Sequence, residues 1–421
     1  MSEVIDRPLR DDEKPAATRL RIVDCDVHPS LRSTDDLNEF LPRRWQQHLK
    51  EYGSHLRTPY LFTTPYPRSS PLIARRDAWP PTGGPPGSDL DFMRKQHLDP
   101  LDVEFGILQV LDLFIFSQQN LEFGAAIQRA INDWQLAFWT HRDPRLKASI
   151  LVGQDGTDLA IAEIERCAKI GEYIQINVSP RANEPLGRRR YWPIYARAQE
   201  LGLPLGIHVG GYGGHAPTGG GWPSYYVEEH QSNAHTMAAQ LTSLVLEGVL
   251  ERFPNLKIVF IEGGFGWIPS ATWRMDRHFD AFRSEAPHLR RRPSEYVKEH
   301  FWFTTQPIDE PDEAKHLRAL IDWVGADRRR LAVLLCRGAP VERAHHGGAA
   351  HQPGARRRSR TLPEPQDYFH RGRFRLDPIG DVADGSAFRG LPQRGAASQA
   401  PAVGICKGAF LVHDAADRRA R

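Results

Sequence analysis

Three residues that can bind a metal ion or transfer a proton alternate at the end of a short apolar run, which reads LRIVDCDVHP from residue 20. In a β-strand, side chains two positions apart lie on the same face, so Asp24, Asp26 and His28 are expected to converge. Pro29 has no N–H for a sheet ladder and marks the end of the strand. The motif alone leaves open the alternative that these polar groups only cap the following loop.

Two more polar side chains end later apolar runs. His208 ends PLGIH and is followed by Val-Gly-Gly, and Glu262 ends IVFIE and is followed by Gly-Gly. Together with Asp26 and His28 they form a donor set that suits a divalent transition metal with an open coordination position. Such an ion can lower the pKa of bound water or polarise a carbonyl or carboxylate, and Glu262 can bind the ion or transfer a proton. The alternatives are a histidine that is only hydrogen-bonded and a Glu262 that pairs with Arg274.

Eight apolar runs predict the strands that carry these residues. They cover residues 22–27, 106–111, 148–152, 173–178, 203–208, 257–262, 301–305 and 331–335. Most are nearly continuous apolar stretches, which is typical of parallel strands buried on both faces. Helical patterns over 158–170, 193–201 and 234–252 lie between them. The alternation favours the α/β class and a (β/α)8 TIM-type barrel, with a doubly wound sheet as the alternative.

The barrel prediction places the functional groups at one end, because catalytic residues of such barrels lie at the C-terminal ends of the strands. The four side chains above are therefore predicted to face one site. His215, His230 and His235 follow the fifth strand and could face a substrate, although such residues are more often solvated. Arg94 or Arg181 could hold a substrate carboxylate in a bidentate manner, but the sequence singles out neither of them.

The composition argues against a nucleic-acid-binding protein and against a membrane protein. The 55 basic and 52 acidic residues leave a net charge of +3, which gives no overall electrostatic surface for DNA or RNA. No apolar run is long enough to span a bilayer and no targeting segment is recognisable, so neither a nucleic acid nor a membrane is expected as a partner, and a cytoplasmic location is predicted. Cys25, Cys167, Cys336 and Cys406 form no CxxC pair, which fits a reducing compartment.

Three segments stand apart from the barrel, which is predicted over residues 20–335. Residues 1–19 are polar and predicted to be disordered, and the Pro/Gly-rich stretch 57–92 reads as an insertion on the active-site face or a flexible surface loop. Residues 336–421 hold 14 arginines and one lysine, Lys407, with little hydrophobic periodicity. We interpret this atypical tail as an out-of-frame translation, and a naturally disordered tail is the alternative.

The ordered motifs VDCDVHP, PLGIHVGG, IEGGFGWIP, WRMD and FWFTTQPIDEP resemble the amidohydrolase-related proteins of the amidohydrolase superfamily. Within it they are most similar to the group of aminocarboxymuconate-semialdehyde decarboxylase and γ-resorcylate decarboxylase. The resemblance covers about residues 20–328 and implies a (β/α)8 barrel with one divalent metal, zinc or manganese, and nonoxidative decarboxylation or hydrolysis. The first-strand ligand pair of the family falls on Asp26 and His28, and its strand-five histidine falls on His208.

The chain departs from the family pattern at two strands. The decarboxylases commonly have a catalytic histidine after strand six, where this chain has Glu262, as a broad subset of relatives does. The family ends strand eight with a metal-binding aspartate, whereas this chain reads LLCRGAP from residue 334. The aspartate is lost where the composition changes, which supports the out-of-frame interpretation. A site without one of its ligands is expected to bind metal more weakly.

The resulting hypothesis is a metal-dependent hydrolase or carboxy-lyase acting on a small carboxylated or cyclic organic acid. Asp26, His28 and His208 are the expected metal ligands, and Glu262 is the expected catalytic residue. One divalent metal ion is expected, with zinc preferred over manganese, and the protein is expected to form a homodimer. The alternative is a catalytically impaired or non-catalytic barrel relative that lacks the last ligand aspartate.

Overall fold

The computed structural model describes residues 22–54, 74–112, 116, 118–209, 216–308, 311–324 and 331–332. The segments predicted as a disordered N-terminus (1–19) and an atypical tail (336–421) lie outside these residues, as do residues 57–73 of the insertion and the end of the predicted eighth strand. Among the described helices, none combines the length and the apolar character needed to cross a membrane.

Eight parallel strands follow one another around the sheet in chain order, and each is hydrogen-bonded to the next. Strand β8 also lies near β1, so the barrel is nearly closed. This arrangement confirms the predicted (β/α)8 barrel. The strands are β1 (Ile22–Val27), β2 (Val103–Leu108), β3 (Leu146–Leu151), β4 (Tyr173–Val178), β5 (Leu205–His208), β6 (Ile258–Ile261), β7 (Phe301–Thr304) and β8 (Leu331–Ala332).

Helices fill the connections between most of the strands and cover the outside of the sheet. Their apolar faces pack on strand residues that are almost fully buried, which explains the continuous apolar runs of β3 to β6. The helices are α1 (Arg43–Tyr52), α2 (Leu90–Met93), α3 (Leu121–Gln135), α4 (Thr157–Cys167), α5 (Trp192–Leu201), α6 (Tyr226–Leu246), α7 (Val249–Arg252), α8 (Ile268–Ala281), α9 (Pro293–His300) and α10 (Ala314–Val324).

The helix boundaries correct the sequence prediction at two places. The helix predicted over 158–170 ends earlier, at Cys167, in a turn before β4. The helix predicted over 234–252 begins at Tyr226, because the Glu228 carboxylate accepts hydrogen bonds from the backbone N–H groups of the preceding turn. It is also divided in two by Gly248, whose φ of +80° lies in the left-handed region.

The strand ends meet at one rim of the barrel. His208 pairs in register with Ile261, and the backbone N–H of Val209 donates to the Ile261 carbonyl at 3.2 Å. On the far side, the N–H of Gln109 donates to the Val27 carbonyl at 2.7 Å. Backbone hydrogen bonds therefore align the end of β5 with the end of β6, and the end of β1 with the residue after β2.

An ion-pair cluster before β3 ties that strand to the π-helical turn before β2. The buried Asp143 carboxylate accepts from Arg94 Nε at 2.9 Å and from Arg145 Nη2 at 2.7 Å. Hydrogen bonds from Arg145 lower the pKa of Asp143 although burial opposes this, and Arg94 adds to the effect. The cluster thus contributes stability in the ionised state of Asp143.

We predict that Asp143→Asn destabilises the fold by about 2 kcal/mol at neutral pH, because two arginines lose their buried partner. Since the folded-state pKa of Asp143 is depressed, its contribution is present above about pH 4 and is lost as the pH falls below that value. The difference between wild type and variant in urea unfolding should therefore shrink in acid. Asp91→Asn is the matched control, because Asp91 pairs with Arg94 but its side chain is 88% exposed. Equal costs for both substitutions would contradict the prediction.

Candidate metal centre

The structure brings Asp26, His28, His208 and Glu262 together at the C-terminal rim. Asp26 Oδ1 lies 3.2 Å from His28 Nε2 and 3.0 Å from His208 Nε2, and His208 Nε2 lies 3.4 Å from Glu262 Oε2. One ligand atom from each of the four residues lies within 4.8 Å of all the others. The predicted site residues therefore form a single cluster.

Backbone carbonyls orient both imidazole rings in this cluster. His28 Nδ1 donates to the carbonyl of Gln109 at 2.8 Å, and His208 Nδ1 donates to the carbonyl of Val209 at 2.6 Å. Because a carbonyl can only accept, the proton of each neutral ring lies on Nδ1 and the lone pair lies on Nε2. The Gln109 side chain is fully buried and donates to the Cys25 carbonyl at 3.1 Å. This hydrogen bond holds Gln109, and with it the carbonyl that orients His28, in place. Each ring, when neutral, thus presents the Nε2 lone pair that a metal ion needs, and when protonated it donates from Nε2 to Asp26 Oδ1.

Glu262 is held in a strained conformation. Its φ of +59° lies in the left-handed region, which a residue with a side chain rarely adopts. Its N–H donates to Thr304 Oγ1 on β7 at 3.0 Å, and the following Gly263 packs so closely on Met237 that a Cβ there would lie 2.9 Å from Met237 Cγ. Its side chain is 29% exposed, whereas that of His208 is 1% exposed. Glu262 therefore faces both the cluster and the open mouth, and such strain is typical of functional positions.

The charges in the cluster stabilise one another. Burial opposes ionisation of Asp26, but the charges and hydrogen bonds of His28 and His208 hold the pKa of Asp26 well below its usual range. Burial also disfavours the charged form of His28, yet the carboxylates of Asp26 and Glu262 raise the pKa of His28 to about 10. Two carboxylates thus attract positive charge to the point where the ligand atoms converge.

The chemistry of the donor set fits a divalent metal ion. Two imidazole Nε2 atoms and two carboxylates are ligands that zinc and manganese accept. Cys25 does not belong to the group of converging ligand atoms. Among the described residues, this is the one group of at least three potential ligands that could hold an ion.

Asp24 does not join the cluster, contrary to the sequence prediction. Its buried carboxylate lies 2.5 Å from His97 Nε2 and accepts from the N–H of Asp26 at 3.0 Å. The ladder between β1 and β2 is irregular between Asp24 and Val27, where three steps on β1 match two steps on β2. This irregularity disturbs the two-residue alternation on which the prediction relied.

The arginines proposed as carboxylate binders occupy different places. Arg94 belongs to the ion-pair cluster before β3, so its prediction as a residue of the site mouth is wrong. Arg181 follows β4, is 7% exposed and lines a cavity of about 160 Å³ at the ends of β3 and β4. Arg274 lines a groove between α6 and α8, whereas the Glu262 carboxylate faces His208. The structure therefore does not show the alternative pairing of Glu262 with Arg274.

The histidines predicted after strand five separate along α6, and His215 lies outside the described residues. His230 contacts Tyr226 and Glu229, whereas His235 lines the groove between α6 and α8. Sequence reasoning also missed Asp112, which accepts from the N–H of Leu31 at 2.7 Å. Burial raises the pKa of Asp112 to about 6. The signal that could have identified Asp112 from the sequence is its position shortly after β2, at the end of the barrel where site residues are expected.

The described part of the 57–92 insertion packs on the loop that follows β1. The N–H of Ser30 donates to the Gly87 carbonyl at 2.9 Å, and a Cβ at Gly87 would lie 2.2 Å from the His28 carbonyl oxygen. Arg32 Nη2 donates to Thr82 Oγ1 at 3.0 Å. These contacts support the backbone of His28 from outside the barrel.

Comparisons with known proteins match this fold and family. A family model described as amidohydrolase matches residues 23–329. An amidohydrolase from Mycobacterium avium subsp. paratuberculosis is 18% identical, with a TM-score of 0.53 over 73% of this chain and 88% of the other. A 2,6-dihydroxybenzoate decarboxylase from Rhizobium is 19% identical, with a TM-score of 0.51 over 74% and 86%. A 5-carboxyvanillate decarboxylase from Novosphingobium aromaticivorans, solved with manganese and 4-hydroxy-3-methoxy-5-nitrobenzoic acid, is 15% identical, with a TM-score of 0.52 over 74% and 84%.

The family match covers most of the chain and includes every strand from β2 to β7, together with all four residues of the cluster. The chain therefore belongs to the amidohydrolase family. The solved structures share its barrel fold. The resemblance to the amidohydrolase-related proteins that the motifs indicated is thereby confirmed.

We predict that the purified protein binds one divalent ion and that His208→Ala reduces its metal content at least tenfold, because a fully buried ligand is lost. Elemental analysis after dialysis against zinc or manganese measures this. His235→Ala is the control on α6 and should retain the metal content of wild type. Equal metal in both variants, or none in the wild type, would show that the cluster is not a metal site.

We predict that Glu262→Gly is more stable than Glu262→Ala by about 1 kcal/mol, because only glycine adopts a positive φ without strain. Urea unfolding of the metal-free variants measures the difference. The same two substitutions at Arg129, an exposed position in the middle of α3, should reverse the order, since alanine stabilises a helix relative to glycine. An alanine variant at residue 262 that is as stable as the glycine variant would rule out backbone strain there.

Proposed function

We propose that this protein is a metal-dependent enzyme that converts a small carboxylated or cyclic organic acid by nonoxidative decarboxylation or by hydrolysis. The observation that carries the proposal is the convergence of Asp26, His28, His208 and Glu262 at the catalytic rim of an amidohydrolase barrel. Both imidazoles present Nε2 to the same point, and one carboxylate remains open to the mouth.

In this proposal Asp26, His28 and His208 hold the metal, while Glu262 completes the ligand set or moves a proton. A bound divalent ion supplies the polarisation of a carbonyl or carboxylate and the activation of water. The sequence preference for zinc has no support among the comparisons, since the similar 5-carboxyvanillate decarboxylase was solved with manganese. We therefore propose one divalent ion of either kind.

Glu262 is the residue of the cluster that is placed to transfer a proton to or from the substrate. The partly exposed Glu262 carboxylate can give or take a proton at a substrate atom in the mouth, while the buried His208 cannot be reached from solvent. Decarboxylation of an aromatic acid is the first reaction to test, because two of the similar solved structures are decarboxylases of such acids by name.

A second candidate is a barrel that has lost activity. It is favoured by the stretch LLCRGAP from residue 334, which has no aspartate where the family ends its last strand. The described cluster already supplies two nitrogen and two carboxylate ligands, which supports the first candidate. The two candidates differ in whether the full-length chain turns over a substrate once metal is bound.

We predict that protein loaded with manganese or zinc releases carbon dioxide from a hydroxylated benzoate or a muconate-type acid. Asp26→Asn should lower kcat/KM at least a hundredfold, because the buried carboxylate that joins the two imidazoles becomes neutral. Product analysis distinguishes the reactions, since ring opening or amide cleavage without carbon dioxide indicates hydrolysis. Arg274→Gln serves as the control outside the cluster. A metal-loaded protein that is inactive on acids, lactones and amides alike would favour the impaired barrel.

A further inference from the structure

The first strand departs from a regular ladder directly beside the metal cluster. Between Asp24 and Val27, three steps on β1 match two steps on β2, which is the pattern of a β-bulge. Two side chains bind the backbone of this bulge. Asp24 Oδ1 accepts from the N–H of Asp26 at 3.0 Å, and Gln109 Nε2 donates to the carbonyl of Cys25 at 3.1 Å. Because bulges re-aim side chains, the conformation of this stretch decides where the Asp26 carboxylate lies.

The Asp24 carboxylate is itself held by a second residue. Its Oδ2 lies 2.5 Å from His97 Nε2, and an ionised carboxylate can only accept, so the imidazole donates this hydrogen bond. The Asp24 side chain is 5% exposed. A buried carboxylate is unfavourable unless its oxygens are hydrogen-bonded, and here each oxygen has a donor. His97 therefore determines which oxygen of Asp24 faces the N–H of Asp26.

A π-helical turn over Arg94–Leu98 places His97 beside β1. The N–H of Asp99 donates to the carbonyl of Arg94 at 2.9 Å, which is the five-residue step of a π-helix. Such turns are rare and occur frequently at functional sites. The turn is anchored on both sides of His97, since Leu98 is fully buried and Arg94 belongs to the ion-pair cluster before β3.

We propose that Asp24 and His97 are positioning residues of the metal centre. They form a buried carboxylate–imidazole pair that holds the bulge of β1 in the conformation in which Asp26 faces His28 and His208. Neither residue belongs to the converging ligand set, and both act through the backbone of Asp26. Without the pair, the Asp26 N–H loses its acceptor, and its carboxylate loses the support that keeps it 3.2 and 3.0 Å from the two imidazoles. The inference rests on the proposed metal-dependent function and deepens it.

The first test needs neither metal nor turnover. Exchange of the Asp26 amide hydrogen is measured by NMR in the full-length, metal-free protein, relative to the other amides of β1. Asp24→Ala and His97→Ala should each speed this exchange about tenfold or more, because the amide loses its acceptor or the acceptor loses its support. Asp24→Asn should stay near the wild-type rate, since its amide oxygen can accept from Asp26 and its NH2 can donate to the other tautomer of His97. Wild-type exchange of Asp26 in both alanine variants would overturn the proposal.

The second test measures the metal site. Zinc affinity is determined by competition with a chelator, and the visible absorption of the cobalt(II)-loaded protein reports the geometry of the ligands. Asp24→Ala and His97→Ala should lower zinc affinity about tenfold or more and change the cobalt spectrum, because residues that orient a metal ligand have effects of this size. Asp24→Asn should bring both properties back close to wild type. His97→Ala carries the test if Asp24→Ala does not fold.

Glu163→Ala is the matched control for the loss of a buried carboxylate. Glu163 lies on α4, where its Oε1 accepts from Arg166 Nη2 at 2.7 Å. This variant should lower stability but keep the zinc affinity and cobalt spectrum of wild type. Alanine variants at residues 24 and 97 that lose stability yet bind zinc like wild type would show a purely structural role and overturn the proposal. If the wild type binds no zinc, the proposed function fails, and amide exchange alone decides whether the pair holds Asp26.

Discussion

The carboxylate of Asp26 is the interaction on which the site depends. Its Oδ1 lies within hydrogen-bonding distance of the Nε2 atoms of both His28 and His208, and it joins the first strand of the barrel to the fifth. The Asp26 side chain is 4% exposed, so its charge requires positive partners nearby. Backbone carbonyls fix both imidazoles, and the cluster therefore keeps its shape before any ion binds. The barrel contributes the common rim at which these strands end.

Glu262 differs from the other three residues because it combines strain with exposure. A left-handed residue with a side chain costs free energy, and the hydrogen bond to Thr304 offsets part of that cost. The conformation directs the carboxylate towards both His208 and the mouth. The same residue can then assist metal binding and move a proton at a substrate atom in the mouth, two roles that a fully buried ligand could not combine.

Much of this arrangement could be predicted from the sequence, because it follows from local patterns. Strands β1 and β4 have the predicted bounds, and His208 and Glu262 end their apolar runs as expected for rim residues. The errors came from contacts that no local pattern contains. Asp24 was misjudged because the ladder irregularity depends on β2, and Arg94 because its partner Asp143 is distant in sequence.

The central claim is that the four clustered side chains bind one metal ion. The most direct measurement is an anomalous-difference map from crystals of the full-length protein grown with manganese or zinc. The account predicts a single strong peak between Asp26, His28, His208 and Glu262, with both Nε2 atoms about 2.0–2.3 Å from it. A map without a peak among these residues at millimolar metal, or with its strongest peak elsewhere, would contradict it.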